Sequence, residues 1–338
     1  MILVTGGTGL VGTHLLYDLV RSGKKVRALK RNSSDISSVK KVFSYYSSDV
    51  DELMKEIEWV NADLLDVYTL LDVMEGVTDV YHCAAMVSFE PKHIDEMLRV
   101  NIEGTANMVN AALEKGIRKF CHISSIATVG RSEHGAVSTE ETFWKSSPDN
   151  SNYAISKYGA EREVWRAAEE GLNVVIVNPS LIIGAGNWQQ SSSNMFSKAY
   201  KGIKFYTDGE NGFVDVRDVA SVAIKLMESE MKNQRYLLNS ENTTYKYFFD
   251  LIHSELGKPL PSIKAGKYLS AFAWRVEKIR SFFSNAVPLI TKETAHSANS
   301  ISRFSNQKIK TIFPDHEFIS VEQSIKDTCK LFLQDLKK

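Results

Sequence analysis

Thr5-Gly6-Gly7-Thr8-Gly9-Leu10-Val11-Gly12 follows a short β-rich run, 2–5, and opens an amphipathic stretch, 10–22, that stops at Gly23. Glycines at these positions permit a tight strand-to-helix turn. They also let a pyrophosphate approach backbone N–H groups at the positive end of the helix. G-x-G-x-x-G alone is a weak signal, but here it stands between a strand and a helix, the context a dinucleotide site requires. A glycine-rich turn without a ligand is the plain alternative.

Working outward, short β-rich runs alternate with helical patterns through the first 180 residues, which is the grammar of βαβ units. Strands are expected at 2–5, 26–29, 58–61, 79–83, 120–123 and 174–177. Helices are expected at 10–22, 67–74, 94–115 and 152–169, with a Ser-rich connection before the third strand. The unbroken apolar run at 174–177 suits a parallel strand covered on both faces. Beyond Pro179 the pattern loosens, with Pro259, Pro261 and longer helices. The expectation is an α/β fold: a doubly wound parallel sheet over 1–180 and a smaller C-terminal α/β substrate lobe over 181–338. Segments around 213–228 return to the first unit.

The chain has 338 residues, 41 Lys+Arg against 41 Asp+Glu and 43% hydrophobic residues. That composition is ordinary for a globular protein and argues against wholesale disorder or a chain-wide nucleic-acid footprint. Cys83, Cys121 and Cys329 are odd in number and far apart, so no disulfide framework is expected and a reducing compartment is. With no signal-peptide pattern and no apolar run of spanning length, the expectation is a cytoplasmic protein without a transmembrane segment. The neutrality is a sum of opposed blocks: residues 21–41 hold eight Lys/Arg against Asp35, 42–80 hold ten acids against Lys55, and 258–310 hold ten bases against two acids.

The first basic block falls where cofactor choice is made. At the end of the second strand an acid holds a ribose 2′-OH, whereas a base accommodates a 2′-phosphate. Val26-Arg27-Ala28-Leu29-Lys30-Arg31-Asn32 has no acid. Arg31 can clamp a phosphate bidentately and Lys30 can act as a point charge, so NADP is expected, with NAD possible. Solvated surface cations are the alternative reading.

Tyr153 and Lys157 stand at i and i+4 of an expected helix, on one face. A tyrosine hydroxyl ordinarily titrates near ~10, and a neighbouring ammonium lowers that value toward useful proton exchange. Ser124 and Ser125 follow the fifth strand directly, at the strand end where α/β sheets present ligand-binding groups. Ser125 is placed to hydrogen-bond a substrate oxygen. Each residue alone means little; the ordered set behind a glycine-rich βα turn is specific.

Together these residues resemble the extended short-chain dehydrogenase/reductases, the NAD-dependent epimerase/dehydratase superfamily, over nearly the whole chain. Matching landmarks are Asp63-Leu64, His82-Cys83-Ala84-Ala85, Asn101-Ile102-Glu103-Gly104-Thr105, Ser124-Ser125-Ile126-Ala127-Thr128-Val129-Gly130, Asn178-Pro179-Ser180 and Phe213-Val214-Asp215-Val216-Arg217-Asp218-Val219-Ala220. The resemblance implies a Rossmann domain. It implies that Asp63 and Leu64 contact the adenine, that Ala84, Ala85 and Ser124 line the cofactor cleft, and that Pro179, Ser180 and Ile182 border the nicotinamide. Tyr153 is then the general acid/base, Lys157 the residue that binds the ribose and depresses the tyrosine pKa, and Ser125 the group orienting the carbonyl or alcohol. Asn101 reads as structural beside a catalytic alternative.

Within the branch, Val26 to Arg31 looks most like the dihydroflavonol-reductase-like group, next to the 3β-hydroxysteroid-dehydrogenase-like one. The implied function is an NADP(H)-dependent oxidoreductase that reduces a ketone or aldehyde. One alternative is a nucleotide-sugar epimerase or dehydratase using the same triad, disfavoured by Val129 where many epimerases carry Tyr. A second is a non-catalytic dinucleotide sensor, against which the Tyr153/Lys157 pair argues. A homodimer through helices 94–115 and 152–169 is expected from the resemblance.

Other candidates read more plainly. His82-Cys83 and Cys121-His122 lack zinc-type spacing, so no metal is expected. Glu133-His134 reads as a solvated loop. The basic, aromatic stretch 268–290, with Phe272, Trp274, Arg275, Lys278, Arg280, Phe282 and Phe283, reads as a substrate-lobe helix, with membrane or anion contact as the alternative.

Overall fold

The computed structural model describes residues 1–130, 135–266, 269, 274–275 and 291–337. Its strands are β1 (Ile2–Thr5), β2 (Val26–Lys30), β3 (Ile57–Asn61), β4 (Asp79–His82), β5 (Lys119–Ile123), β6 (Val137–Ser138), β7 (Val174–Pro179), β8 (Leu181–Ile183), β9 (Phe205–Tyr206), β10 (Glu210–Asp215), β11 (Gln234–Leu238) and β12 (Glu241–Thr244), with short strands at Ile263–Lys264 and Arg303–Phe304. Seven of them form one sheet in the order β11-β7-β5-β4-β1-β2-β3, every pairing parallel. Chain order reverses between β1 and β4. That reversal opens the crevice in which doubly wound sheets bind ligands.

The run at 174–177 shows why the sheet is a closed sandwich. Successive side chains of a strand point to opposite faces. Val175 and Val177 join the core that includes Leu15, Leu16, Val219 and Leu226, whereas Val174 and Ile176 join Leu70, Met108, Phe120 and Val164 on the other face. The first layer is built from α1 (Leu10–Arg21), α2 (Ser37–Phe43), α3 (Val50–Lys55) and, later in the chain, 216–228. The second comes from α4 (Val67–Val73), the 94–114 helical run and 152–169.

Three elements differ from the pattern reading. The Ser-rich connection before β3 holds α2 and α3; Val39, Val42 and Phe43 are buried at helical spacing, a signal masked by the surrounding serines. The expected single helix at 94–115 is α5 (Ile94–Leu98), a π-helical turn at Arg99–Glu103 and α6 (Gly104–Glu114). The wider turn carries Asn101 inward, where Met86 N–H donates to Oδ1 at 2.7 Å while Nδ2 donates to Met86 O and Ser156 Oγ, both at 2.9 Å. Lastly, the sheet gains a seventh strand, β11, absent from the pattern reading.

The helix at 152–169 is α7 (Asn152–Glu169), capped by Ser151, whose hydroxyl accepts from Ala154 N–H at 3.1 Å. After α8 (Asn194–Tyr200), helix α9 (Val216–Glu228) packs on α1 and β11 pairs with β7, so both return to the large sheet. Strand β10 does not: it pairs with β8 and β12 in a separate three-stranded sheet. Around it, α10 (Tyr245–Glu255) and the helix Val321–Leu336 bury Phe196, Phe213, Phe248, Ile252, Ile325 and Phe332 as a second core. Phe213 and Phe248 stack at 4.5 Å.

No described helix is long and apolar enough to cross a membrane, and Cys83, Cys121 and Cys329 are free thiols. Glu133-His134 and the stretch 268–290 lie outside the described residues, except that Leu269 is exposed and the Arg275 guanidinium sits 4.7 Å from the Trp274 ring centroid.

The glycine turn fixes how α1 enters this sandwich. Gly6 has φ +66°, and a Cβ on Gly12 would stand 2.2 Å from the Gly6 carbonyl oxygen. Backbone is the obstacle, so no rotamer change relieves the clash. Gly12→Ala is expected to destabilise the protein by about 3 kcal/mol, the upper part of the range for overpacking. Denaturant unfolding against the wild type measures it, and an unchanged midpoint contradicts the close-approach reading.

Candidate active site

The parallel register brings four strand ends to one edge. Thr5 pairs with His82, His82 with His122, and Ile123 with Val177. The segments that follow therefore line the crevice together: the glycine turn after β1, Cys83-Ala84-Ala85 after β4, Ser124-Ser125 after β5 and Ser180 after β7. Lys30 and Arg31 close β2 on the far side of the turn.

The turn is internally tied and externally open. Gly9 N–H donates to Gly6 O at 2.9 Å and Thr13 Oγ1 to Gly7 O at 2.9 Å. Gly9 is the N-cap of α1 and no side chain caps the helix. The first-turn N–H groups of Leu10, Val11 and Gly12 thus point outward without a side-chain acceptor, as a pyrophosphate cradle requires. Thr8 lies in this turn, and a Cβ on Gly6 would meet Ala84 N at 2.6 Å, which brings the β4 loop against it. Thr5 Oγ1 accepts from Ala84 N–H at 3.2 Å and bonds His82 Nδ1 at 2.8 Å, tying the two strand ends.

Lys30 Nζ donates to Asn61 Oδ1 at 2.9 Å, whereas the exposed Arg31 guanidinium has no partner among the described residues. Asp63 Oδ1 accepts from Leu65 N–H at 3.0 Å and shapes the loop after β3; Leu64 packs under Gly104. Ser180 is buried with an unpartnered hydroxyl, and its N–H donates to Leu238 O at 2.9 Å; Pro179 ends β7 and Ile182 is half-buried in β8.

Tyr153, Ser125 and Lys157 meet over the end of β5. The Ser125 hydroxyl lies beside the Tyr153 phenol and accepts from Ala127 N–H at 3.1 Å. Lys157 is 2% exposed and donates from Nζ to Ile123 O at 2.8 Å. Burial lowers its pKa to about 8, opposed by the charge of Glu161. For Tyr153, burial raises the pKa and the neighbouring Ser125 hydroxyl pulls it down.

Some residues of the site carry no signal in the motif reading. The Phe89 ring lies 5.9 Å from the Tyr153 ring at the cleft mouth. Beneath Ser124, Glu161 gathers donors: Ser124 Oγ at 2.7 Å, Thr128 Oγ1 at 2.6 Å and Asn178 Nδ2 at 2.8 Å on Oε2, then Trp165 Nε1 at 3.3 Å and Arg235 at 3.4 Å on Oε1. Its position four residues after Lys157 was the available clue. Ser124 thus spends its hydroxyl on Glu161.

His82 and His122 stack at 5.4 Å with both rings buried, and burial pushes the His82 pKa down to about 3. Among the described residues no three His, Cys, Asp or Glu gather to hold a metal.

The model of the NAD dependent epimerase/dehydratase family matches residues 2–238. Sterol demethylase protein B of Methylococcus capsulatus is 31% identical over 265 residues, 77% of this chain and 76% of that protein. A putative dihydroflavonol 4-reductase of Synechocystis sp. is 30% identical over 283 residues, 82% of this chain and 78% of that protein. The crystal structure of gox2253 superposes with a TM-score of 0.82 at 28% identity, covering 99% of this chain and 98% of the other. The chain belongs to the NAD dependent epimerase/dehydratase family, the extended short-chain dehydrogenase/reductases, and is an enzyme of the NAD(P)-dependent oxidoreductase type.

Proposed function

We propose that the protein is an NADP(H)-dependent reductase of a ketone or aldehyde. The observation that carries this reading is the Tyr153 phenol, kept protonated by burial, beside the Ser125 hydroxyl and one helical turn from a buried lysine that donates to Ile123 O at the end of β5. A protonated phenol is the form that gives a proton to a carbonyl oxygen.

With its pyrophosphate held at the glycine turn, the reduced dinucleotide would supply the hydride. The chain's own residues do the rest. Ser125 donates to the carbonyl oxygen and stabilises its developing charge. Tyr153 delivers the proton to that oxygen. The phenolate left behind is a charge in a dry cleft, and Lys157 is the cation nearest along the helix to offset it. Leu10, Val11 and Gly12 N–H groups hold the pyrophosphate, and Arg31 holds the 2′-phosphate. The second lobe, proposed as 181–338 less the returning α9 and β11, covers the substrate. Similarity to a putative dihydroflavonol 4-reductase of Synechocystis sp. supports this direction.

Tyr153→Phe is expected to lower kcat by about 10²- to 10⁴-fold, the span of general acid catalysis, with the NADPH Kd nearly unchanged. Stopped NADPH oxidation and fluorescence titration measure the two, and substantial remaining turnover contradicts the role. Oxidation of one NADPH per carbonyl reduced is expected; conversion of a sugar nucleotide without NADPH loss favours the epimerase instead.

Loss of a charge-assisted contact to phosphate in Arg31→Ala is expected to weaken NADP binding by about 10- to 100-fold and to leave NAD unchanged. An unaltered NADP/NAD affinity ratio refutes the assignment.

Lys157 is an ammonium below about 8 and neutral above it, because burial moves its pKa down from the usual lysine range. The pH profile of kcat/KM is therefore expected to fall on its alkaline side near 8, and a profile flat to 10 contradicts that.

A further inference from the structure

Lys157 and Glu161 lie one helical turn apart on the buried face of α7, both 2% exposed. They grip the same short segment. Lys157 Nζ holds Ile123 O, and Glu161 Oε2 holds the hydroxyls of Ser124 and Thr128. Ser125 sits between these anchor points. Its carbonyl accepts from Thr128 N–H at 3.1 Å and from Asn178 Nδ2 at 3.1 Å, and Asn178 Nδ2 also reaches Glu161 Oε2. Every neighbour bonded to Glu161 is a donor, which suits an ionised carboxylate, an acceptor only.

The ion pair of Glu161 is with Arg235 at 3.4 Å, and a buried ion pair seldom adds net stability over apolar packing, since desolvation offsets its attraction. The inner face of α7 also carries Ala160, Val164, Ala167 and Ala168, whereas the place of Glu161 is ringed by the donors of Ser124, Thr128, Asn178, Trp165 and Arg235. The carboxylate therefore calls for a role beyond packing.

We propose that Glu161 is a positioning residue of this site: from the buried face of α7 its carboxylate fixes the Ser124–Thr128 turn so that Ser125 faces Tyr153, and it is the acid one helical turn from Lys157, which grips the same segment. This rests on the assignment of Ser125, Tyr153 and Lys157 made above. The charged and titratable groups around Lys157 are Glu161 and Tyr153 on α7, Cys83 and His82 from β4 and its loop, and His122 from β5; Arg235 on β11 faces Glu161 from the other side. Of these, Glu161 is first among those favouring the ammonium; Cys83, half-buried and pushed up to about 12, stays a neutral thiol, and the histidines are buried with lowered pKa values.

Two variants of the full chain separate the two effects. Glu161→Gln keeps the size and removes the charge. NADPH affinity, read by fluorescence across pH, is expected to weaken on the alkaline side with a midpoint roughly one pH unit below that of the wild type. Glu161→Asp keeps the charge, and hence a partner for Arg235, but shortens the reach to Ser124 and Thr128. It is expected to retain the wild-type binding midpoint while kcat falls about tenfold or more from misplacement of Ser125. A merely structural glutamate moves neither the midpoint nor the split between binding and turnover. A folded Glu161→Gln protein with the wild-type midpoint, or a Glu161→Asp protein with wild-type kcat, overturns the proposal. If Glu161→Gln does not fold, the Glu161→Asp result decides. If the wild type binds NADPH but reduces no carbonyl, the reductase reading fails, while the binding midpoints of wild type and Glu161→Gln still test the hold of Glu161 on Lys157.

Discussion

The inner strands of the sheet are covered on both faces, and this constraint governs where chemistry can occur. Val174 to Val177 are wholly buried, with alternate side chains given to opposite helical layers. Polar backbone in these strands is consumed by the parallel ladder. Free N–H groups, hydroxyls and side-chain charges can gather only where the ladder stops. At the C-terminal ends of β1, β4, β5 and β7 it stops in one row, and the reversal of strand order beside β1 leaves a crevice above that row. The glycine turn, the β4 loop and the serine segment are neighbours for this reason, although some 120 residues separate Gly6 from Ser125 in the chain.

Burial also sets the protonation states of the site. It pushes Lys157 down and Tyr153 up, so near neutrality the tyrosine keeps its proton and the lysine is close to losing one. An i, i+4 argument counts the ammonium one turn away as a stabilising charge; the structure adds the loss of water around both groups and the carbonyl of Ile123, which accepts from that ammonium. The local charges that matter, Glu161 above all, come from positions that no motif marks.

The parts of the fold legible in the sequence are those governed by short-range rules. The β1 turn is legible because only glycine fits a positive φ at Gly6 and an absent Cβ at Gly12. The β7 run is legible because doubly covered strands need continuous apolar side chains. Helices α2 and α3 are obscured because their buried faces are short and set among serines. The π turn at Arg99–Glu103 is invisible because its cause, the amide pair between Asn101 and the Met86 backbone, spans a loop. Strand β11 is missed because its membership in the large sheet depends on α9 carrying the chain back across it.

By itself, then, the sequence determined the class of fold, the place of the dinucleotide turn and the order of Ser125, Tyr153 and Lys157, since each follows from local sterics or helical spacing. Only the tertiary structure decided which groups these residues touch: Ser125 against the phenol, Lys157 on the Ile123 carbonyl, Arg31 without a partner and Glu161 beneath the serine turn. Such contacts depend on the register of β4, β5 and β7 and on the packing of α7 against them. Register and packing are long-range outcomes of burying the whole core, and no short window of sequence encodes them.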